Sequence, residues 1–248
     1  MYHINFIASA YDKPHADTYQ SFLIPFTFFA LQTDPNSHVE MIVEDVSAFK
    51  NKYKTELSVL EKINTHFLIR QPTYPRNKHI PNTYRFFEKP QVDSVYTYIA
   101  DIDIMFLEND IVGKYVASWP NNLPYNNKLR PNAPSHLTGI HMVKTKEYYT
   151  DRLYECQKKY YHGAIENDET ILQKLCKEVF GLPNLSHQFR PIYGIHFSPN
   201  RGPKKSLHLK TSKIYYNKFM EMKEKYKELF EFEIFQKLVK QLKEDFVW

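Results

Sequence analysis

The stretch YTYIADIDIMF, residues 96–106, reads as a buried strand that carries two carboxylates one residue apart near its end. An unpaired charge is expensive to bury, so Asp101 and Asp103 need a partner there. Side chains alternate along a strand, which predicts that both carboxylates point the same way. At the carboxyl end of a strand in an open α/β sheet they would face the crevice where such sheets bind ligands. Two carboxylates form a hard, oxygen-rich site suited to Mg²⁺ or Mn²⁺, and a divalent ion shared with a diphosphate offsets their mutual repulsion. The plainer alternative is an Asp pair that only starts a turn.

Working outward from this stretch, strand-like and helix-like patterns alternate. HINFIASA (3–10) reads as a strand, DTYQSFLIPFTFFALQT (17–33) as a helix and HVEMIVED (38–45) as a strand. SAFKNKYKTELSVLEKI (47–63) follows as an amphipathic helix with Ser47 as its expected N-cap, then THFLIRQ (65–71) as a strand. Such alternation predicts an α/β fold with a mainly parallel sheet flanked by helices. A Pro-rich connector leads to the short helix TYRFFEK (83–89), which ends at Pro90, and then to one strand over 94–106. Pro and Asn recur too closely in WPNNLPYNNKLRPNAPS (119–135) for regular structure, and this segment reads as a loop. HLTGIHMVK (136–144) reads as a strand, followed by helices over 146–162 and 167–180, the second stopped by Gly181. YGIHFS (193–198) forms the last strand and runs into the basic turn PNRGPKK, and from residue 213 the chain is amphipathic and helical. The economical division is one α/β domain over 1–210 with a helical extension over 211–248 packed on it.

Composition narrows the classes. Of 248 residues, 42% are hydrophobic and 16% aromatic, enough for a packed core rather than a disordered chain. The net charge of +5 is compatible with anionic substrates, but the Lys and Arg residues form no concentrated stripe, which argues against nucleic acid as a partner. Cys156 and Cys176 lie in helical patterns and build neither a disulfide framework nor a CxxC metal motif, so a reducing, cytoplasmic setting is expected. MYHINFIASA lacks the features of a signal peptide, and FLIPFTFFAL is too short to span a bilayer.

A hydrophobic strand ending in DID near the middle of a small α/β chain resembles the GT-A fold of nucleotide-sugar glycosyltransferases, especially bacterial enzymes that extend lipopolysaccharide, O-antigen or capsule. Further segments fall in the order of that family. TYRFF with Arg85 resembles the helix that approaches the nucleotide sugar, and HLTGIHMVK resembles the acceptor-side strand. ENDETILQKL resembles the acidic helix start of the fold, and YGIHFSPNRGPKK resembles the terminal strand whose His completes a metal site. The resemblance covers roughly residues 1–205 and rests on motif order and spacing. It implies Mn²⁺ or Mg²⁺ held by Asp101, Asp103 and His196, with Asp101 also near the ribose. It implies Arg85, Arg201 and Lys204 or Lys205 near the diphosphate, Tyr11 near the uracil base, and Asp168 and Glu169 at the reacting centre. The activity implied is transfer of a hexose, such as galactose or glucose, from a UDP-sugar to a hydroxyl of a glycan or lipid-linked glycan.

Each of these residues also has an ordinary reading. His196 as a lone imidazole could be a core residue, and Arg85 could pair with Glu88 on its own short helix. Asp168 and Glu169 open a helix, where acidic residues are favoured by the exposed N–H groups. Tyr11 could be a turn residue, and His136, Thr138 and His141 are weaker candidates for a sugar hydroxyl. Two other functions use the same motif. Haloacid-dehalogenase-type phosphatases place D-x-D after a strand with the first Asp as nucleophile, which would make Asp101 the attacking group. Their motif usually opens the chain and continues into Thr or Val, whereas here it is central and continues IMF. A non-catalytic sugar-nucleotide-binding protein on the same fold is the other. The C-terminal amphipathic helix could pack on the core, dimerise or lie on an anionic membrane, and its many Glu residues weigh against the last.

Overall fold

The computed structural model describes residues 1–11, 18–75, 79, 81–99, 101–120, 122–130, 133–184, 192–197 and 213–245. Its first half alternates as expected: β1 (Tyr2–Ser9), α1 (Thr18–Ser21), α2 (Leu23–Leu31), β2 (Ser37–Ile42), α3 (Val46–Lys52), α4 (Lys54–Ile63) and β3 (Phe67–Arg70). A 3-10 helix at Pro81–Phe86 then leads to β4 (Ser94–Ile99), β5 (Ile104–Phe106) and α5 (Ile111–Val116). The hydrogen-bonded order of the main sheet begins β3-β2-β1-β4, all parallel. Two later strands extend it, β6 (Tyr125–Asn126) and β9 (His141–Lys144), with β9 antiparallel to both β4 and β6. This is a mixed α/β architecture with a mainly parallel central sheet flanked by helices.

Several expected elements are divided. The single strand over 94–106 is two, because the chain turns through Ile102 and Asp103 between β4 and β5. The expected helix over 47–63 is broken at Tyr53, and its N-cap is Asp45 rather than Ser47: the Asp45 carboxylate accepts from the Ala48 N–H at 2.9 Å. The Pro/Asn-rich segment is not all loop. It contains β6, β7 (Leu129–Arg130) and the start of β8 (Ala133–Leu137), with β7 and β8 paired antiparallel. Consequently 136–144 is not one strand but the end of β8, a turn at Gly139, and β9.

Each face of the sheet has its own core, as alternation along the strands requires. Ile4, Phe6, Ala8, Tyr98 and Met142 face one; Ile99 and Val143 face the other. The first is centred on α2, whose residues are buried all round, the sign of a helix covered on every side. The sheet covers one side: Phe26 meets Phe6 and Phe106. The C-terminal helices α9 (Lys213–Lys225), α10 (Lys227–Phe230) and α11 (Glu233–Asp245) cover the other. Phe28 there packs on Tyr226, Phe230 and Phe235, and Phe29 stacks on Phe219. Burying each phenyl ring contributes about 1.5–3 kcal/mol, so this extension completes the core. The opposite face is covered by α6 (Thr145–Tyr148), α7 (Asp151–Tyr161) and α8 (Asp168–Val179), which carry Tyr148, Leu153, Ile171, Leu172 and Leu175 into the second core. Among the described residues no helix is long and apolar enough to cross a membrane.

Candidate functional site

Backbone pairing assembles the site. The last described strand, β10 (Gly194–His196), runs antiparallel to β5 with His196 opposite Ile104, and the Phe197 N–H donates to the Asp103 carbonyl at 2.7 Å. That register sets His196 Nε2 3.1 Å from Asp103 Oδ1, both side chains largely buried. Gly194 makes the approach possible, because a Cβ there would lie 2.0 Å from the Met105 carbonyl oxygen. Burial pushes the Asp103 carboxyl above the ordinary range; the His196 imidazole pulls it back and the nearby Asp101 charge adds to the rise.

Asp101 faces a different partner. Arg85, at the end of the 3-10 helix, is 3% exposed, and its Nη2 lies 2.6 Å from Asp101 Oδ1 and 3.1 Å from Asp168 Oδ2. The alternative local pair with Glu88 is not formed; Glu88 instead binds Arg70 at 2.6 Å. The guanidinium also sits over the Phe86 ring at 4.6 Å. Gly139 leaves room for the other oxygen of Asp101, since a Cβ on Gly139 would lie 2.3 Å from Asp101 Oδ2.

The start of α8 supplies the remaining carboxylates. Its cap is Asn167, whose side-chain oxygen accepts from the Glu169 N–H at 3.0 Å, so neither Asp168 nor Glu169 is used as the N-cap. Asp168 is thereby left to Arg85. Glu169 Oε1 accepts from Arg130 Nη2 on β7 and from the Gly139 N–H at 3.2 Å. Arg130 and Gly139 were not legible as site residues, because they lie in or just after the Pro/Asn-rich segment with no periodicity to place them.

Behind this turn lies a buried polar cluster. Asn127 Oδ1 accepts from Thr138 N at 3.1 Å and Thr138 Oγ1 at 2.8 Å, and Asn127 Nδ2 faces His141 Nδ1 at 3.1 Å. Burial, reinforced by the positive charge of Arg85, pushes the His141 pKa down to about 3. Thr138 and His141 are therefore core residues that hold the Gly139 turn. Tyr11, expected near a nucleotide base, has a buried ring packed on Tyr84 at 5.1 Å, and burial raises its hydroxyl pKa strongly. Arg201, Lys204 and Lys205 lie outside the described residues.

The donor chemistry fits a divalent cation in kind. Four carboxylates at residues 101, 103, 168 and 169 face two guanidiniums, leaving two negative charges in excess beside an imidazole. The convergence is incomplete: among the described residues no three His, Cys, Asp or Glu side chains are grouped closely enough to hold a metal. Asp103 and His196 touch, whereas Asp101 is turned to Arg85.

No family model and no curated relative matches the chain. Among solved structures, the apo form of the glycosyltransferase GlyE of Streptococcus pneumoniae TIGR4 aligns at a TM-score of 0.47 and 11% identity, over 75% of this chain and 46% of that one. A second GlyE structure aligns at 0.47 and 12% identity, over 75% and 45%. The bifunctional IspDF of Campylobacter jejuni aligns at 0.39 and 9%, over 70% and 47%. The chain spans about half the length of the solved chains it matches.

Proposed function

We propose that the chain is a metal-dependent glycosyltransferase that moves a hexose from a UDP-sugar to a hydroxyl of a glycan or lipid-linked glycan in surface-polysaccharide synthesis. The observation that carries the reading is the Arg85 contact with both Asp101 and Asp168, which joins a carboxylate after β4 to the α8 start, 83 residues from Arg85. Asp103 and His196, with Asp101, would hold Mn²⁺ or Mg²⁺, which when bound supplies a Lewis acid for the departing diphosphate. Arg85 would donate hydrogen bonds to an anionic donor, and its burial would strengthen them. Glu169 is held by two bonds on Oε1, a fixed orientation suited to a carboxylate acting at the anomeric carbon or the acceptor hydroxyl. A phosphohydrolase with Asp101 as nucleophile fits less well, because one Asp101 oxygen is bound to Arg85.

The test is thermal denaturation with nucleotides and nucleotide sugars, with and without Mn²⁺. A UDP-sugar at 100 times its Kd stabilises by about 2.7 kcal/mol, and this gain should require Mn²⁺ and vanish in Asp103→Ala. Donor turnover undiminished in Asp103→Ala, or hydrolysis of phosphate monoesters without a sugar nucleotide, would sink the proposal.

A further inference from the structure

We propose that Arg130, on β7, is a positioning residue for Glu169: together with the Gly139 N–H it holds Glu169 Oε1 and leaves Oε2 for a substrate hydroxyl. The inference rests on the proposed transferase reading and adds which residue sets the carboxylate and which of its oxygens acts. Four observations support it. Both donors, Arg130 Nη2 and the Gly139 N–H at 3.2 Å, fall on Oε1, and among the described residues no donor meets Oε2. Both come from one piece of backbone, because β7 and β8 pair antiparallel and Gly139 lies just beyond β8. Thr138, between β8 and Gly139, donates its N–H and its hydroxyl to Asn127 Oδ1, which sets the direction of the Gly139 N–H. Asn167 caps α8, so the Glu169 carboxylate is not drawn to the helix N-terminus.

A carboxylate gripped at one oxygen by two donors has little freedom to rotate, and a charged donor makes the stronger of the two grips. Orientation of a reacting group governs rate more than binding, so Arg130 acts on the reaction through Glu169. Its own surroundings are not those of a residue that only stabilises the fold. The buried Nε of Arg130 meets no acceptor, whereas buried polar groups in a structural network are satisfied. The Arg130 side chain is 41% exposed, so its replacement leaves the core intact.

Two measurements on the full chain test the inference. The first needs no substrate: in nitrogen–proton correlation spectra the amide of Gly139, one of only six glycines, reports its bond to Glu169. Arg130→Gln should shift that resonance in the same direction and as far as Glu169→Gln does, while the Thr138 amide, bonded to Asn127, stays in place. In the Glu169→Gln background Arg130→Gln should move it no further. A Gly139 amide unmoved by Arg130→Gln, or moved equally in both backgrounds, overturns the inference. So does a Thr138 amide that moves as far, which would make Arg130 a support of the hairpin alone. The second measurement is turnover of UDP-hexoses with Mn²⁺ supplied. Arg130→Gln should lower kcat about a hundredfold while KM stays within about twofold, and Arg130→Lys should recover part of the loss. In the Glu169→Gln background Arg130→Gln should cost no more than about a further twofold, and an equal loss in both backgrounds overturns the inference. If the unaltered chain turns over no UDP-hexose, the transferase reading is what fails, and the Gly139 amide still decides whether Arg130 positions Glu169.

Discussion

Two arginines in this protein each sit between two carboxylates, and their surroundings differ. Arg70 binds Glu40 and Glu88 at 2.6 Å through separate nitrogens and donates also to the carbonyls of Gln71 and Lys89. Its partners are equally well supplied. Glu40 accepts from Asn5 and from the N–H groups of Gln91 and Val92, and Glu88 accepts twice from Thr73. Arg85 instead offers one nitrogen to both Asp101 and Asp168, and its buried Nε has no hydrogen-bond partner among the described residues. A saturated buried network ties the connection after β3 to the edge of the sheet, whereas an unsaturated one retains donors for a ligand. Saturation, more than burial, separates a structural ion cluster from a candidate site.

The largest effect should come from breaking the saturated cluster. Arg70→Ala leaves two fully buried carboxylates without their cation, and breaking a buried pair costs about 3–5 kcal/mol. Urea denaturation should show that loss in full, with Arg85→Gln losing distinctly less because Asp101 can turn to solvent. Equal destabilisation by the two substitutions would erase the distinction between the clusters.

That distinction was only partly legible in the sequence. The alternation of strands and helices was, because short β-prone runs and longer helical runs, separated by polar turns, succeed one another through residues 1–71. The turn at residues 101–103 was not, since IADIDIMF alternates apolar and polar residues whether or not the strand continues. The two carboxylates consequently do not share one strand face; they diverge to Arg85 and His196. Partner choice was hidden for a related reason. A reading along the helix offers Arg85 the nearby Glu88, but the fold delivers Asp101 and Asp168 to it and gives Glu88 to Arg70. Glu40 looks like an outward strand residue and is fully buried, because its cation arrives from the neighbouring strand.

Acid should weaken both regions to a similar extent. Each contains a buried imidazole: His38 beside Asn5, and His141 beside Asn127. Burial lowers the His38 pKa to about 4, with Glu40 opposing and His66 assisting, and lowers His141 to about 3. In the unfolded chain both protonate near pH 6.5, so the unfolded state takes up protons first as pH falls. Their contribution is therefore fully present above about pH 6.5 and is lost toward their folded pKa values. Between pH 7 and pH 5 each accounts for about 2 kcal/mol of lost stability. Urea denaturation of His38→Gln and of His141→Gln at both pH values should each show a smaller acid loss than the parent chain. An unchanged loss in His141→Gln would mean that its ring is solvated and that the Gly139 turn is less tightly buried than the hydrogen bonds require.

The smallest expected effect tests why the second cluster has two carboxylates to use. Asn167 caps α8, and Asn→Ala at such a position costs about 1 kcal/mol. Without that cap, the carboxylates of Asp168 and Glu169 lie nearest the exposed N–H groups of the first turn and are attracted to them. Asp168 capping the helix would leave Arg85, and Glu169 capping it would leave Arg130 and the Gly139 N–H. Asn167→Ala should therefore lower thermal stability slightly while changing Mn²⁺ affinity several-fold, and Asn167→Asp, which retains a capping oxygen, should restore both. Loss of stability with Mn²⁺ affinity unmoved would show that Asp168 stays on Arg85 without help from the cap. The geometry of the site would then be set by the β7–β8 and Gly139 backbone alone.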